Sequence, residues 1–268
     1  MKRNHVALLG ALIATLAFAR TAPSAEITYG APPADLKSYL DRLVKAYPDW
    51  ISGYDAQFLI MRDGTKFAIS DGRTDKSFDT LIEKPDVDDM FYVPYPKGSV
   101  PGQPGKNVDP GRVRFEPLFI KMYGNCDRDE VKGKMRTIAW LPKHNGGQVV
   151  ITTVNGIDKA LEAVSRDLDV MPDNFITYLK PSSGTYNCRK VAGSSVRSMH
   201  AYATAIDINS TFSAYWRWSG GPKGEPKWQN KIPIEIVRVF EKHGFIWGGY
   251  WYHYDTMHFE YRPELLAD

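Results

Sequence analysis

Residues 193–209 read GSSVRSMHAYATAIDIN, and the polarity of this stretch bears most directly on the fold class. Its second half alternates, with Ile206 and Ile208 apolar around Asp207, so TAIDIN is expected to be a strand with one face turned inward. His200 stands seven positions before Asp207, an odd offset that would put two strand side chains on opposite faces. The two meet only if a turn between them resets the alternation. Toward the C-terminus, residues 252–265 read YHYDTMHFEYRPEL. Met257, Phe259 and Tyr261 are expected to face a core while His258 and Glu260 point the other way, with Asp255 in the turn leading into that strand.

Helical spacing recurs elsewhere. Leu36, Leu40, Leu43 and Val44 precede Pro48, and Ile236, Val237 and Phe240 follow Pro233 and end before Gly244. Val149 to Val154 reads as a buried strand, followed by Asn155 as a cap and a helix with Ile157, Leu161, Val164 and Leu168 on one face. QFLIMRDGTKFAIS, residues 57–70, predicts a hairpin around Asp63-Gly64. Residues 94–111 are dense in proline and glycine and read as a loop at the seam between two regions. Short strands mixed with helices, without βαβ regularity, make α+β the expected class.

The chain has 268 residues, of which 43% are hydrophobic and 24% charged, which excludes a disordered or fibrous protein. Lys2 and Arg3, the apolar run Val6–Ala19 and the small residues at Ser24 and Ala25 predict a secretory signal peptide over 1–25. That run is too short to span a hydrocarbon core about 30 Å thick. The protein is therefore expected to be exported, periplasmic or secreted, with no membrane span after signal cleavage. Lys2, Arg3 and Arg20 account for the formal net charge of +3, so the mature chain is near neutral and offers nucleic acid no electrostatic footprint. Residues 26–110 are expected to form an N-terminal elaboration and 111–268 a catalytic domain, acting as a monomer. The two cysteines, Cys126 and Cys188, lack the C-x-x-C spacing of a zinc ribbon or thioredoxin site. In an oxidising compartment they are expected to pair, tethering the loop that follows Cys188.

Chemistry then rests on histidines and carboxylates. The two stretches supply two imidazoles, His200 and His258, and two carboxylates, Asp207 and Asp255; two imidazoles with one carboxylate make the catalytic zinc arrangement that leaves one position for water, with the other carboxylate to spare. Zn2+ lowers the pKa of its water from about 9 toward about 7, so that a nearby carboxylate can act as general base.

The two-part pattern resembles that of the VanY-like zinc D-alanyl-D-alanine carboxypeptidases and L,D- or D,D-endopeptidases of peptidase family M15. In that family S-x-H-x-x-G-x-A-x-D is followed by D/E-x-x-H. Here the first part is Ser198, His200, Ala203, Ala205 and Asp207, and the second is Asp255 and His258. The resemblance extends from about residue 111 to the C-terminus. It implies a hedgehog/DD-peptidase-like fold in which a small antiparallel sheet carries the zinc site and helices pack on it. It also implies zinc on His200, Asp207 and His258, Asp255 as the base, and peptidoglycan stem peptides as substrates. The family's arginine in an SGYR-like segment falls nearest Arg189 of SGTYNCR, across a two-residue insertion, where it would hold a substrate carboxylate or the oxyanion. Arg197 competes for that role. His253 is expected to hydrogen-bond the oxyanion or to orient Asp255, and Glu260 to orient a metal ligand. His144, in a turn, and His243, at a helix end, read as structural.

Ala203 replaces the family's glycine, which matters only where φ is positive. A non-heme iron oxygenase is disfavoured by the missing H-x-D spacing. A catalytically inactive zinc-containing recognition module is the remaining alternative, and the presence of Asp255 weighs against it.

Overall fold

Tyr39, Leu40 and Leu43 form the buried face of α1 (Leu36–Ala46), which ends just before Pro48. The structure is a computed structural model that describes residues 28–220 and 225–266, so the expected signal segment lies outside the described residues. After α1 come β1 (Ile51–Tyr54), β2 (Phe58–Met61) and β3 (Lys66–Ala68), an antiparallel meander in the order β1-β2-β3. The β2–β3 turn is the expected hairpin, with Gly64 at φ +84°. Helix α2 (Phe78–Glu83) follows, capped by the Ser77 hydroxyl accepting from the Thr80 amide.

Residues 94–111 contain neither helix nor strand, yet they pack along the C-terminal region. The Tyr95 hydroxyl donates to Glu241, and Trp251 Nε1 donates to the Pro110 carbonyl. One hydrophobic core takes in buried residues from Tyr39 to Leu266.

Beyond this strap lie α3 (Glu116–Tyr123), the hairpin β4 (Met135–Ala139) and β5 (Gln148–Thr152), α4 (Ile157–Leu168) and α5 (Ile176–Leu179). Ile157, Leu161, Val164 and Leu168 are fully buried on α4, as their spacing predicts. Two local readings need correction. The strand ends at Thr152 and alternates, leaving Val150 37% exposed, because a two-stranded hairpin covers one face only. Asn155 does not cap α4; it is left-handed at φ +56°, and its amide donates to the Tyr123 hydroxyl. Gly156 stands at the cap position.

The last sheet joins β6 (Ala205–Asp207), β7 (Phe245–Trp247) and β8 (His258–Tyr261), all antiparallel, in the order β6-β8-β7. Helix α6 (Ile234–Lys242) packs behind it, with Phe240 stacked on Phe259 at 3.8 Å between ring centroids. The class is α+β. Among the described residues no helix is long and apolar enough to cross a membrane.

One buried carboxylate has a stability consequence. Asp88 is 2% exposed, and neither side-chain oxygen has a hydrogen-bond partner. Burial, only partly opposed by the nearby Ser70 hydroxyl and reinforced by the charges of Asp89 and Asp86, pushes its pKa up to about 6. Between the unfolded value and 6 the native state binds more protons, so this group's contribution to stability falls as pH rises through that window. Asp88→Asn is expected to stabilise the fold by roughly 1–3 kcal/mol at about pH 7.5 and to give no gain near pH 4. Equal melting shifts at the two pH values would refute the assignment.

Candidate metal and active site

Asp207 and His258 are direct partners in the β6–β8 ladder, so their side chains emerge on the same face. His200 joins them through the reset that its odd offset demands. Met199–Tyr202 forms a single 3-10 turn, and Ala203 closes it in the left-handed region at φ +54°, ψ +40°. Alanine therefore occupies the one place in the motif where glycine would be unstrained, at a cost of about 1–2 kcal/mol. Its methyl group is buried in a small cluster with Cys126, Val131 and Ala201, and burying one carbon returns roughly 0.8 kcal/mol.

The three donor atoms converge closely. His200 Nε2, His258 Nδ1 and Asp207 Oδ1 are each 3.1 Å from the other two. An ion with tetrahedral bonds of about 2.0 Å requires ligand separations of about 3.3 Å, so the triangle has the size zinc needs. Both rings are oriented by what holds their far nitrogens. His200 Nδ1 lies 2.8 Å from the Thr185 carbonyl and His258 Nε2 lies 2.9 Å from Glu260 Oε2. Both partners only accept, so each of those far nitrogens carries a proton, and it is the inner nitrogen of each ring that would offer a lone pair to the centre once the ring is neutral.

Glu260 is fully buried and is itself gripped by Arg114 through both oxygens. Arg262 reaches Glu260 at 3.3 Å and Glu264 at 2.5 Å, and Glu264 accepts from the Tyr47 hydroxyl at 2.7 Å. Burial and opposing charge compete along this chain. Burial opposes ionisation of Asp207, but the His200 and His258 charges hold its carboxyl far below the usual range. Burial alone would lower the His258 pKa, but Asp207 and Glu260 on either side of the ring override it and hold it at about 9.

Asp255 stands at the turn into β8, where its carbonyl accepts from the His258 amide at 3.2 Å. Its Oδ1 is buried with no partner. Burial and the adjacent Asp207 charge push its carboxyl up to about 7.

Residues 192–261 match the family model described as D-alanyl-D-alanine carboxypeptidase. The matched segment contains His200, Asp207, Asp255 and His258, and the match supports a peptidase of family M15. No curated protein and no solved structure matches the chain.

The structure adds the cavity wall, most of it from the matched segment and part of it, with Arg112, Arg114 and Arg189, from before it. A cavity of about 270 Å³ opens over Asp207, Asp255 and His258, with Arg189 and an aromatic side formed by Tyr215, Trp216 and Trp218. Cys126 and Cys188 are joined in a disulfide, which anchors the chain one residue before Arg189. Arg189 is exposed, and no carboxylate pairs with it among the described residues. Arg197 is differently placed: it is bound to Glu116 at 3.1 Å and Asp127 at 2.5 Å, away from the cavity. His253 does line the cavity. Its Nδ1 lies 2.6 Å from Asp109, and its ring stacks on Phe78. His144 and His243 are paired with Asp169 and Asp167 far along the chain, as structural histidines would be.

Sequence reasoning missed three residues that shape this site. Arg114 clamps Glu260, Asp109 holds His253, and Glu83 accepts from Ser194 Oγ at 2.5 Å and from the Ser195 amide at 3.1 Å. The one available signal was the alternation Arg112-Val113-Arg114, whose middle residue is fully buried while both arginines line the cavity.

Proposed function

We propose that this protein is a zinc-dependent peptidase that removes the C-terminal D-alanine from peptidoglycan stem peptides outside the cytoplasm. The observation that carries the reading is the equilateral set of His200, Asp207 and His258 donors with the unpartnered Asp255 Oδ1 beside it. A set of two imidazoles and one carboxylate suits zinc, and an oriented buried carboxylate without a partner suits a general base.

His200, Asp207 and His258 would hold the ion, with Glu260 and the Thr185 carbonyl keeping the two rings in their metal-binding tautomers. When bound, zinc supplies Lewis-acid charge that acidifies water and polarises the scissile carbonyl. Asp255 takes the proton of the attacking water and passes it to the leaving amine, a role suited to a carboxyl raised to about 7. Arg189 binds the substrate's terminal carboxylate. It does so because Arg112 and Arg114, on the same wall, are already neutralised by Asp109 and Glu260. His253 has committed its Nδ1 proton to Asp109, so it donates to an oxyanion at Nε2 only when the ring is protonated.

Incubation of the mature protein with purified muropeptides, read by mass, tests the proposal. Loss of one alanine from pentapeptide stems is the expected product. Cleavage inside the stem would transfer the reading to an endopeptidase. A protein inert on every stem but retained on sacculi would be the recognition module instead.

A further inference from the structure

A second cavity of about 310 Å³ lies beside the first and shares Arg112, Ala192, Trp216 and His253 with it. Its far side is built by α2, from the region preceding the carboxypeptidase match. The charges facing it are not equivalent. Glu83 is spent on Ser194 and Ser195, and Arg112 on Asp109. Asp79 is exposed and has no ionic partner among the described residues. Arg217 has no carboxylate partner among them either; one of its amino groups donates to the Ala192 carbonyl at 2.6 Å, its guanidinium lies over Trp216, and its Nε is buried without an acceptor.

A carboxylate and a guanidinium, neither with an ionic partner among the described residues, thus face one cavity without pairing to each other. A purely cationic guest would leave the Arg217 guanidinium without a counter-charge and a purely anionic one would leave Asp79 without one. A guest bearing both charges satisfies both.

We infer that this second cavity is a substrate subsite for a side chain ending in both an ammonium and a carboxylate, received by Asp79 and Arg217 respectively. The inference rests on the peptidase reading for the identity of the chain being held. Within stem peptides the matching chemistry is a diaminopimelate-type cross-linking residue. The N-terminal region then serves selectivity by supplying Asp79, and Glu83 steadies the wall of this cavity at Ser194.

Three synthetic stem pentapeptides that differ only at the third position, carrying meso-diaminopimelate, lysine or norleucine, test it. The readouts are kcat/KM for alanine release and Kd from tryptophan fluorescence of the zinc-loaded protein. The parent is expected to prefer diaminopimelate over lysine, and lysine over norleucine, by about tenfold at each step. Arg217→Gln should collapse the diaminopimelate/lysine ratio toward one, and Asp79→Asn the lysine/norleucine ratio. Disturbance of the loop that Arg217 also holds would lower all three peptides together and leave the ratios intact, which would overturn Arg217's assignment. Equal handling of the three peptides by the parent, in cleavage and in binding, would overturn the subsite while leaving the peptidase reading in place. Binding in the expected order without any cleavage would sustain the subsite and remove the peptidase.

Discussion

Asp255→Asn is expected to slow stem-peptide hydrolysis by about a hundredfold or more while bound zinc stays at the parent level. The amide preserves shape but cannot accept a proton from water, and it removes a buried charge rather than creating one. Asp255 is not one of the three converging donor atoms, so metal content should not follow activity. Parent-rate hydrolysis in this variant would show that the proton goes elsewhere. His253 would then be the next group to test, since it lines the same cavity.

His258→Ala should lose both metal and activity. The substitution deletes one donor, strands Asp207 Oδ1 with a single imidazole 3.1 Å away, and leaves Glu260 without the ring it orients. Full zinc content in that variant, by elemental analysis, would move the metal off this triangle. A pH measurement on the parent follows from the same geometry. In the metal-free protein the His258 pKa stands at about 9 because two carboxylates flank the ring. The stability this gives is fully present below the unfolded value of about 6.5 and is lost as pH rises through the folded value. Zinc needs the unprotonated ring, so loading at neutral pH should release about one proton from this site. Calorimetric titration in buffers of different ionisation enthalpy reads that number directly; no proton release would contradict the protonated ring.

Much of the site was legible in local sequence because the relevant contacts are local or follow strand periodicity. The odd spacing of His200 and Asp207 demanded a resetting turn, and the Met199–Tyr202 turn with left-handed Ala203 supplies it. The alternation of TAIDIN and MHFEY placed Asp207 and His258 on strands, and their register makes them partners. The helix faces of α1, α4 and α6 followed the 3.6-residue period for the same reason. What escaped is non-local. Arg114 meets Glu260 across 146 positions and Glu83 meets Ser194 across 111, and neither pairing leaves a periodic trace. That Arg189 lines the cavity while Arg197 is held by Glu116 and Asp127 likewise leaves no trace in the local sequence. The exposed Val150 shows the converse error, an apolar run read as buried on both faces when a two-stranded ribbon covers only one.

The hydrogen-bonded file from Tyr47 through Glu264, Arg262 and Glu260 to His258 bears on how such a chain can be taken apart or recombined. Its first link comes from the region before the strap and its last is His258 of the three converging donors, and every side chain between them is sealed from water. A gene fragment encoding only residues 111–268 would inherit two buried acids and a buried guanidinium while leaving behind the phenol at one end of the file. Recombination that swapped the N-terminal part for an unrelated one would face the same deficit. Residues 111–268 are therefore not an exchangeable cassette, and divergence in the first hundred residues is constrained by a tyrosine that lines neither cavity.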